Sequence, residues 1–170
     1  MKKNDIGIPI VNRKELRLIL DRIREKAGTK GVLIMGKPGT GKTTIAKQYW
    51  PDMVSSNQLA THYMLRGIEG FVNAQGQLMY PTHAIDDLGT EVLPSHYGNR
   101  LDLVTYLIQT AYEQSRAFKM YTTNLNYAEL VDRYGDRVVD RLKEKCYFFI
   151  LEDTTFRTIT QAEQINEDLQ

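Results

Sequence analysis

The sequence predicts an α/β protein: a parallel sheet with helices on both faces, in a single domain. Three observations carry that prediction. Strand-length apolar runs alternate with stretches of helical periodicity, a glycine-rich loop joins one such run to one such stretch, and an acid pair closes a later run.

Taken in order, a short polar start leads to Asn12, with Glu15 three residues on, the pattern of a capping box. Leu16, Ile19, Leu20, Ile23 and Ala27 follow at helical spacing, so an amphipathic helix is expected here, ending at Gly28. The first core strand is read at 32–35. After the glycine-rich loop, residues 45–50 are helix-compatible, and Pro51 stops them because the residue before a proline is pushed out of the helical region.

Residues 52–81 carry weaker signals, although Phe71-Val72 and Leu78-Met79-Tyr80 flank Asn73 to Gly76 as the arms of a hairpin would. A short strand then runs into Ile85-Asp86-Asp87. A helix over about 99–116 places Leu101, Val104, Leu107, Ile108, Ala111 and Tyr112 on one face. Strand-like 118–122, helical segments from Tyr127 and from Asp136, and an apolar strand at 147–151 complete the alternation. This divides the chain into a basic segment over 1–30, an α/β domain over 31–160 and a polar tail over 161–170.

Residues 36–43 read GKPGTGKT, with Thr44 following, and satisfy every fixed position of the phosphate-binding pattern G-x-x-x-x-G-K-[ST]. Gly36, Gly39 and Gly41 admit backbone angles closed to other residues, so that successive N–H groups, including those of Lys37 and Thr40 around Pro38, can turn inward on phosphates at a helix start. Lys42 is the expected point charge for the β and γ phosphates, and the Thr43 hydroxyl a ligand of Mg²⁺. The expected cofactors are therefore ATP and Mg²⁺, in a P-loop NTPase fold.

Composition bounds the remainder. At 170 residues, 42% hydrophobic and 25% charged, the chain suits one domain with a sizeable core. One cysteine, Cys146, cannot form an internal disulfide, no Cys/His cluster has metal-ligand spacing, and no apolar run reaches membrane-spanning length. No signal-peptide pattern opens the chain, and the expected location is cytoplasmic, with no membrane partner. The net charge of +1 conceals an asymmetry, because residues 1–30 hold nine Lys or Arg against four acids and residues 31–170 hold thirteen against seventeen. That segment suits nucleic acid or an acidic partner, and equally a solvated helix face.

Catalysis needs an acid on the magnesium side and a group to activate water, and the run Ile85 to Glu91 (IDDLGTE) offers both. On a strand neighbouring the loop strand, Asp86 would hold Mg²⁺ and Asp87 would polarise the attacking water. Glu91, one methylene longer, is the rival base, and a turn-forming Asp pair is the alternative without chemistry. Two adjacent carboxylates repel each other unless a cation relieves them. Asn124, closing the strand that carries Thr122-Thr123, is placed to orient water, whereas Asn126 with Glu129 reads as a helix cap.

The string GKPGTGKTT, IDDLGTE, HYGNR (residues 96–100), TTNL (122–125), YGDRVVDRLKE (134–144) and TTFR (154–157) resembles the AAA+ ATPases of the bacterial helicase-loader type, the DnaC and DnaI proteins, and the related IstB-like transposition helpers. The resemblance implies a self-assembling ATPase acting on single-stranded DNA, with a replicative helicase or a transposase as partner. It also implies that Arg137, or Arg141 four residues on, completes a neighbour's ATP site, so that the isolated monomer is a weak enzyme. The other reading of that pair is surface arginines balanced by Asp136, Asp140 and Glu144. Arg157 resembles a sensor arginine for the γ phosphate, and Glu152 or Asp153 is its alternative partner. Loaders of this type carry a separate helicase-gripping domain, and only about thirty residues precede the first predicted strand. A small P-loop kinase, its acceptor pocket within 52–81, and a scaffold without catalysis are the readings from other classes.

Overall fold

The computed structural model describes residues 1–152 except 27 and 29. The chain begins with an edge strand, β1 (Ile10–Val11), and α1 (Arg13–Glu25), then β2 (Gly31–Met35) and α2 (Lys42–Tyr49) on either side of the glycine-rich loop. β3 (Val54–Ser55), α3 (Ser56–Arg66) and a 3₁₀ turn (Ile68–Gly70) lead to β4 (Ala84–Leu88). A two-stranded ribbon, β5 (Ser95–His96) and β6 (Asn99–Arg100), precedes α4 (Leu103–Glu113), and β7 (Met120–Thr123), α5 (Tyr127–Tyr134), α6 (Asp136–Lys145) and β8 (Cys146–Leu151) follow.

The main sheet has six strands in the order β1-β8-β2-β7-β4-β3, every neighbouring pair parallel. Both faces are covered, as the uninterrupted burial of β2 requires. Its residues alternate between two cores. Leu33 and Met35 face the layer built by α3, α4, α5 and α6, while Val32 and Ile34 face α1 and α2 through Leu16, Leu20, Ile45 and Ala46.

Several boundaries differ from the sequence reading. The polar start supplies a strand, because Ile8 and Val11 are buried and Ile10 and Val11 pair with Ile150 and Leu151 of β8. The capping box forms as expected, Glu15 N–H donating to Asn12 Oδ1 at 2.9 Å, but the helix closes at Glu25, before Gly28. The fourth helix starts at Leu103, with Asp102 as its cap, since residues 95–100 fold back at Tyr97 and Gly98 in left-handed conformation. The hairpin expected over 71–80 is reduced to one antiparallel bridge between Val72 and Leu78, with Leu59, Tyr63, Phe71 and Leu78 buried beneath it.

The largest difference concerns strand order. Asp86 was expected on a strand next to the loop strand, but β7 stands between β2 and β4. Periodicity reports which faces a strand buries and not which strand lies beside it; all four residues of β7 are buried, as suits a central position.

Candidate functional site

The carboxyl ends of β2, β7 and β4 meet at one rim. There the loop leaves β2 at Gly36, whose close approach to β8 excludes any side chain, since a Cβ would stand 2.6 Å from the Leu151 carbonyl oxygen. Gly39 and Gly41 take left-handed angles, and Gly41 caps α2 without a side chain, leaving the first amides of the helix pointed at the loop interior. Thr40 is buried and ties the loop to itself, its hydroxyl donating to the Lys37 carbonyl at 3.0 Å. Pro38 and Thr44 are exposed at its outside.

Lys42 is 4% exposed, and its ammonium donates to the Lys37 carbonyl at 2.8 Å. Burial lowers its pKa, opposed by the charges of Asp87 and Asp86. A cation so enclosed, with backbone carbonyl and hydroxyl as its direct partners, suits an incoming polyanion. One residue on, the Thr43 hydroxyl lies 2.9 and 3.1 Å from the two Asp86 carboxylate oxygens. Residues 43 positions apart in sequence thus bring a hydroxyl and a carboxylate, the hard oxygen donors that Mg²⁺ takes alongside phosphate oxygens, to one point. Among the described residues no group of three or more His, Cys, Asp or Glu forms a metal cage.

The intervening strand joins the two halves. Thr122, fully buried on β7, donates its hydroxyl proton to Asp86 Oδ1 at 2.5 Å and accepts the Asp87 N–H at 2.9 Å. The register between β4 and β7 shifts between Ile85 and Leu88, so the Asp87 amide loses its ladder partner and the threonine replaces it. Asp87 itself is in left-handed conformation, φ 55°, which costs a non-glycine residue about 1–2 kcal/mol. Its carbonyl is clamped by the hydroxyls of buried Ser56 at 2.7 Å and of Thr90 at 2.8 Å. Burial, followed by the charge of Asp86, raises the Asp87 pKa against the pull of Lys42 and Lys47. A half-exposed carboxylate held in this way has a heightened appetite for a proton.

Glu91 is committed elsewhere. It is 6% exposed and accepts from the Gly89 amide at 2.9 Å, the Tyr134 hydroxyl at 2.5 Å and Arg133 Nη2 at 3.0 Å. Arg133 also binds Asp102 at 3.0 Å; burial disfavours its charge, but Asp102 and Glu91 outweigh this and raise its pKa. The Tyr134 hydroxyl is pushed far upward by burial and by Glu91. This cluster fastens the turn after β4 to α5 and to the cap of α4.

Asn124 is half-buried on the same rim and lines a cavity of about 500 Å³ with Gly36, Lys37, Thr40 and Leu151. Asn126 caps α5 in a complete capping box with Glu129. The two arginines of α6 part company. Arg137 is exposed, its side chain with no hydrogen bond, ion pair or ring contact among the described residues. Arg141 lies 4.7 Å over the Tyr112 ring and 3.4 Å from Glu113, with its Nη1 buried and without a hydrogen-bond partner among the described residues. Arg157 lies outside the described residues, as does the tail over 161–170. Sequence reasoning missed Ser56, Arg133, Tyr134, Asp102 and the bridging role of Thr122. Thr122, inside the quoted TTNL, and Tyr134, the first residue of the quoted YGDRVVDRLKE, carried a signal.

With this arrangement on the page, the comparison with solved structures is informative. A structure described as the crystal structure of the DnaC helicase loader superposes with a TM-score of 0.56 at 20% identity, covering 88% of this chain and 96% of that one. The chain shares that structure's fold, a P-loop NTPase-like parallel sheet covered by helices. At that identity the likeness speaks to architecture alone. No protein-family model matches the chain, and no curated protein does. Among the described residues no helix is long and apolar enough to cross a membrane.

Proposed function

We propose that this protein is an ATP-hydrolysing switch of the helicase-loader type, which assembles with copies of itself on single-stranded DNA and comes apart on hydrolysis. The observation that carries the reading is the contact of the Thr43 hydroxyl with the Asp86 carboxylate on the sheet rim, one residue along from the buried Lys42 ammonium, which the glycine-rich loop holds. The loop amides and Lys42 would grip the β and γ phosphates, and Thr43 with Asp86 would hold Mg²⁺, which, when bound, screens phosphate charge and fixes the triphosphate's orientation. Asp87 accepts a proton from the attacking water, with Asn124 orienting that water from the end of β7.

Glu91 is a less apt base, because its carboxylate is already occupied by three donors. Arg137 is the better finger of the pair, being exposed and free among the described residues, whereas Arg141 is engaged on its own chain. A finger in trans contributes on the order of 10³–10⁵ in rate. Turnover per molecule should therefore rise with protein concentration, and rise further when single-stranded DNA gathers the subunits. A specific activity independent of concentration over a hundredfold range would contradict the shared site. Pull-down against a replicative helicase and against a transposase distinguishes loader from transposition helper.

A further inference from the structure

The amino ends of the strands, opposite the phosphate loop, carry a feature the ATPase chemistry does not use. Two hollows of about 400 and 280 Å³ open there on either side of Trp50, and Lys119 lines both. The first is bordered by Tyr80, His83 and Arg116, the second by Arg24, Lys26, Lys30 and Tyr49. Five lysines and arginines line the pair, and among the described residues no aspartate or glutamate does. In a chain with 22 basic and 21 acidic residues, that segregation gives this rim a local positive field. The nearby carboxylates act from outside it: Asp21 accepts the Tyr49 hydroxyl at 2.9 Å, and Asp52 acts on His83 through its charge.

The aromatic content narrows the ligand. Trp50 is half-buried, stands edge-to-face with His83 at 5.4 Å, and has the Lys119 ammonium 6.0 Å from its ring centroid. Rings interleaved with cations are what a single strand requires, since bases stack on the rings while phosphates meet the charges. An acidic peptide would use the charges and leave the rings without a role. A five-residue strand separates this rim from the phosphate loop by roughly 16 Å, so both ends can be occupied together.

We propose that the groove formed by Trp50, Lys119, Arg24, Lys30 and Arg116 is a binding site for single-stranded nucleic acid, independent of the nucleotide pocket. This rests on the proposed function only for the kind of partner, and not for the ATPase.

Trp50 is the sole tryptophan, so its fluorescence reports this groove. The 170-residue protein would be titrated with a short oligothymidylate in chelator, without nucleotide, and in parallel with polyglutamate. The oligonucleotide should quench Trp50. With three or four phosphates neutralised, affinity should fall roughly 20- to 50-fold between 50 and 200 mM salt. Lys119→Glu and, separately, Arg24→Glu should each weaken binding about tenfold while ATP binding and thermal melting stay as in the parent. Two variants on different elements guard against one that folds poorly. Quenching by polyglutamate but not by the oligonucleotide would assign the groove to an acidic protein and overturn the proposal. So would a labelled oligonucleotide that binds without changing Trp50 or responding to either variant, which would leave assembly on DNA standing but move the strand elsewhere. Failure of the concentration-dependent ATPase, with quenching intact, would sink the enzyme and spare the groove.

Discussion

Replacing Glu91 with alanine separates a structural carboxylate from a catalytic one. The change removes the acceptor of the Gly89 amide, the Tyr134 hydroxyl and Arg133 Nη2. Tyr134 is 6% exposed, so its hydroxyl is left where water reaches it poorly, at a cost of about 1–3 kcal/mol. Breaking a buried ion pair from one side costs about 3–5 kcal/mol, and Arg133 keeps Asp102, which favours the lower figure. About 3 kcal/mol in a chain of this length lowers the melting temperature by roughly 6–12 °C. Measured well below that melt, turnover per folded molecule should stay within about threefold of the parent.

Asp87→Asn should behave in the opposite way. Its ionised form is disfavoured in the folded protein by burial and by Asp86, so the variant should melt no lower than the parent while turnover falls about 10²- to 10⁴-fold. Paired thermal melts and phosphate-release assays check both. A Glu91→Ala protein that melts like the parent yet loses turnover would refute the reasoning and make Glu91 the base.

Arg137→Ala should keep ATP affinity and melting temperature but lose the rise of specific activity with concentration, whereas Arg141→Ala, which gives up its Tyr112 and Glu113 contacts, should cost about 1 kcal/mol of stability in a melt. Ser56→Ala removes one of two hydroxyls holding the strained Asp87 carbonyl, and steady-state kinetics should show kcat falling more than KM rises, alongside a loss of about 1 kcal/mol. The pKa of His83 is lowered by burial and by Lys119, so the unfolded chain takes its proton more readily; stability should fall as pH drops through about 6.5, and melts of His83→Gln should lose less over that interval.

Much of the candidate site's backbone was legible because the glycine-rich loop is contiguous and its glycines answer local backbone needs. Gly39 and Gly41 take left-handed angles, and the Asp pair stands at the end of a strand as read. What escaped was set by pairing across the sheet. Strand order set β7 between β2 and β4 and so brought Thr122 against Asp86 and the Asp87 amide, and no period in MYTT announces that neighbour. Ser56 lies in a stretch of weak pattern, and its value arises only when α3 begins beside the turn after β4. Arg133 reads as one more charge on an exposed helix face until Glu91, 42 residues earlier, is folded against it.

The nucleotide pocket is tested most directly by calorimetric titration of ATP, with Mg²⁺ and with chelator, into the parent, Lys42→Ala and Asp86→Asn. The account predicts binding by the parent that Mg²⁺ strengthens, at least tenfold weaker binding by Lys42→Ala, and no benefit from Mg²⁺ in Asp86→Asn. Undiminished affinity in Lys42→Ala, with an unchanged Mg²⁺ effect in Asp86→Asn, would contradict it.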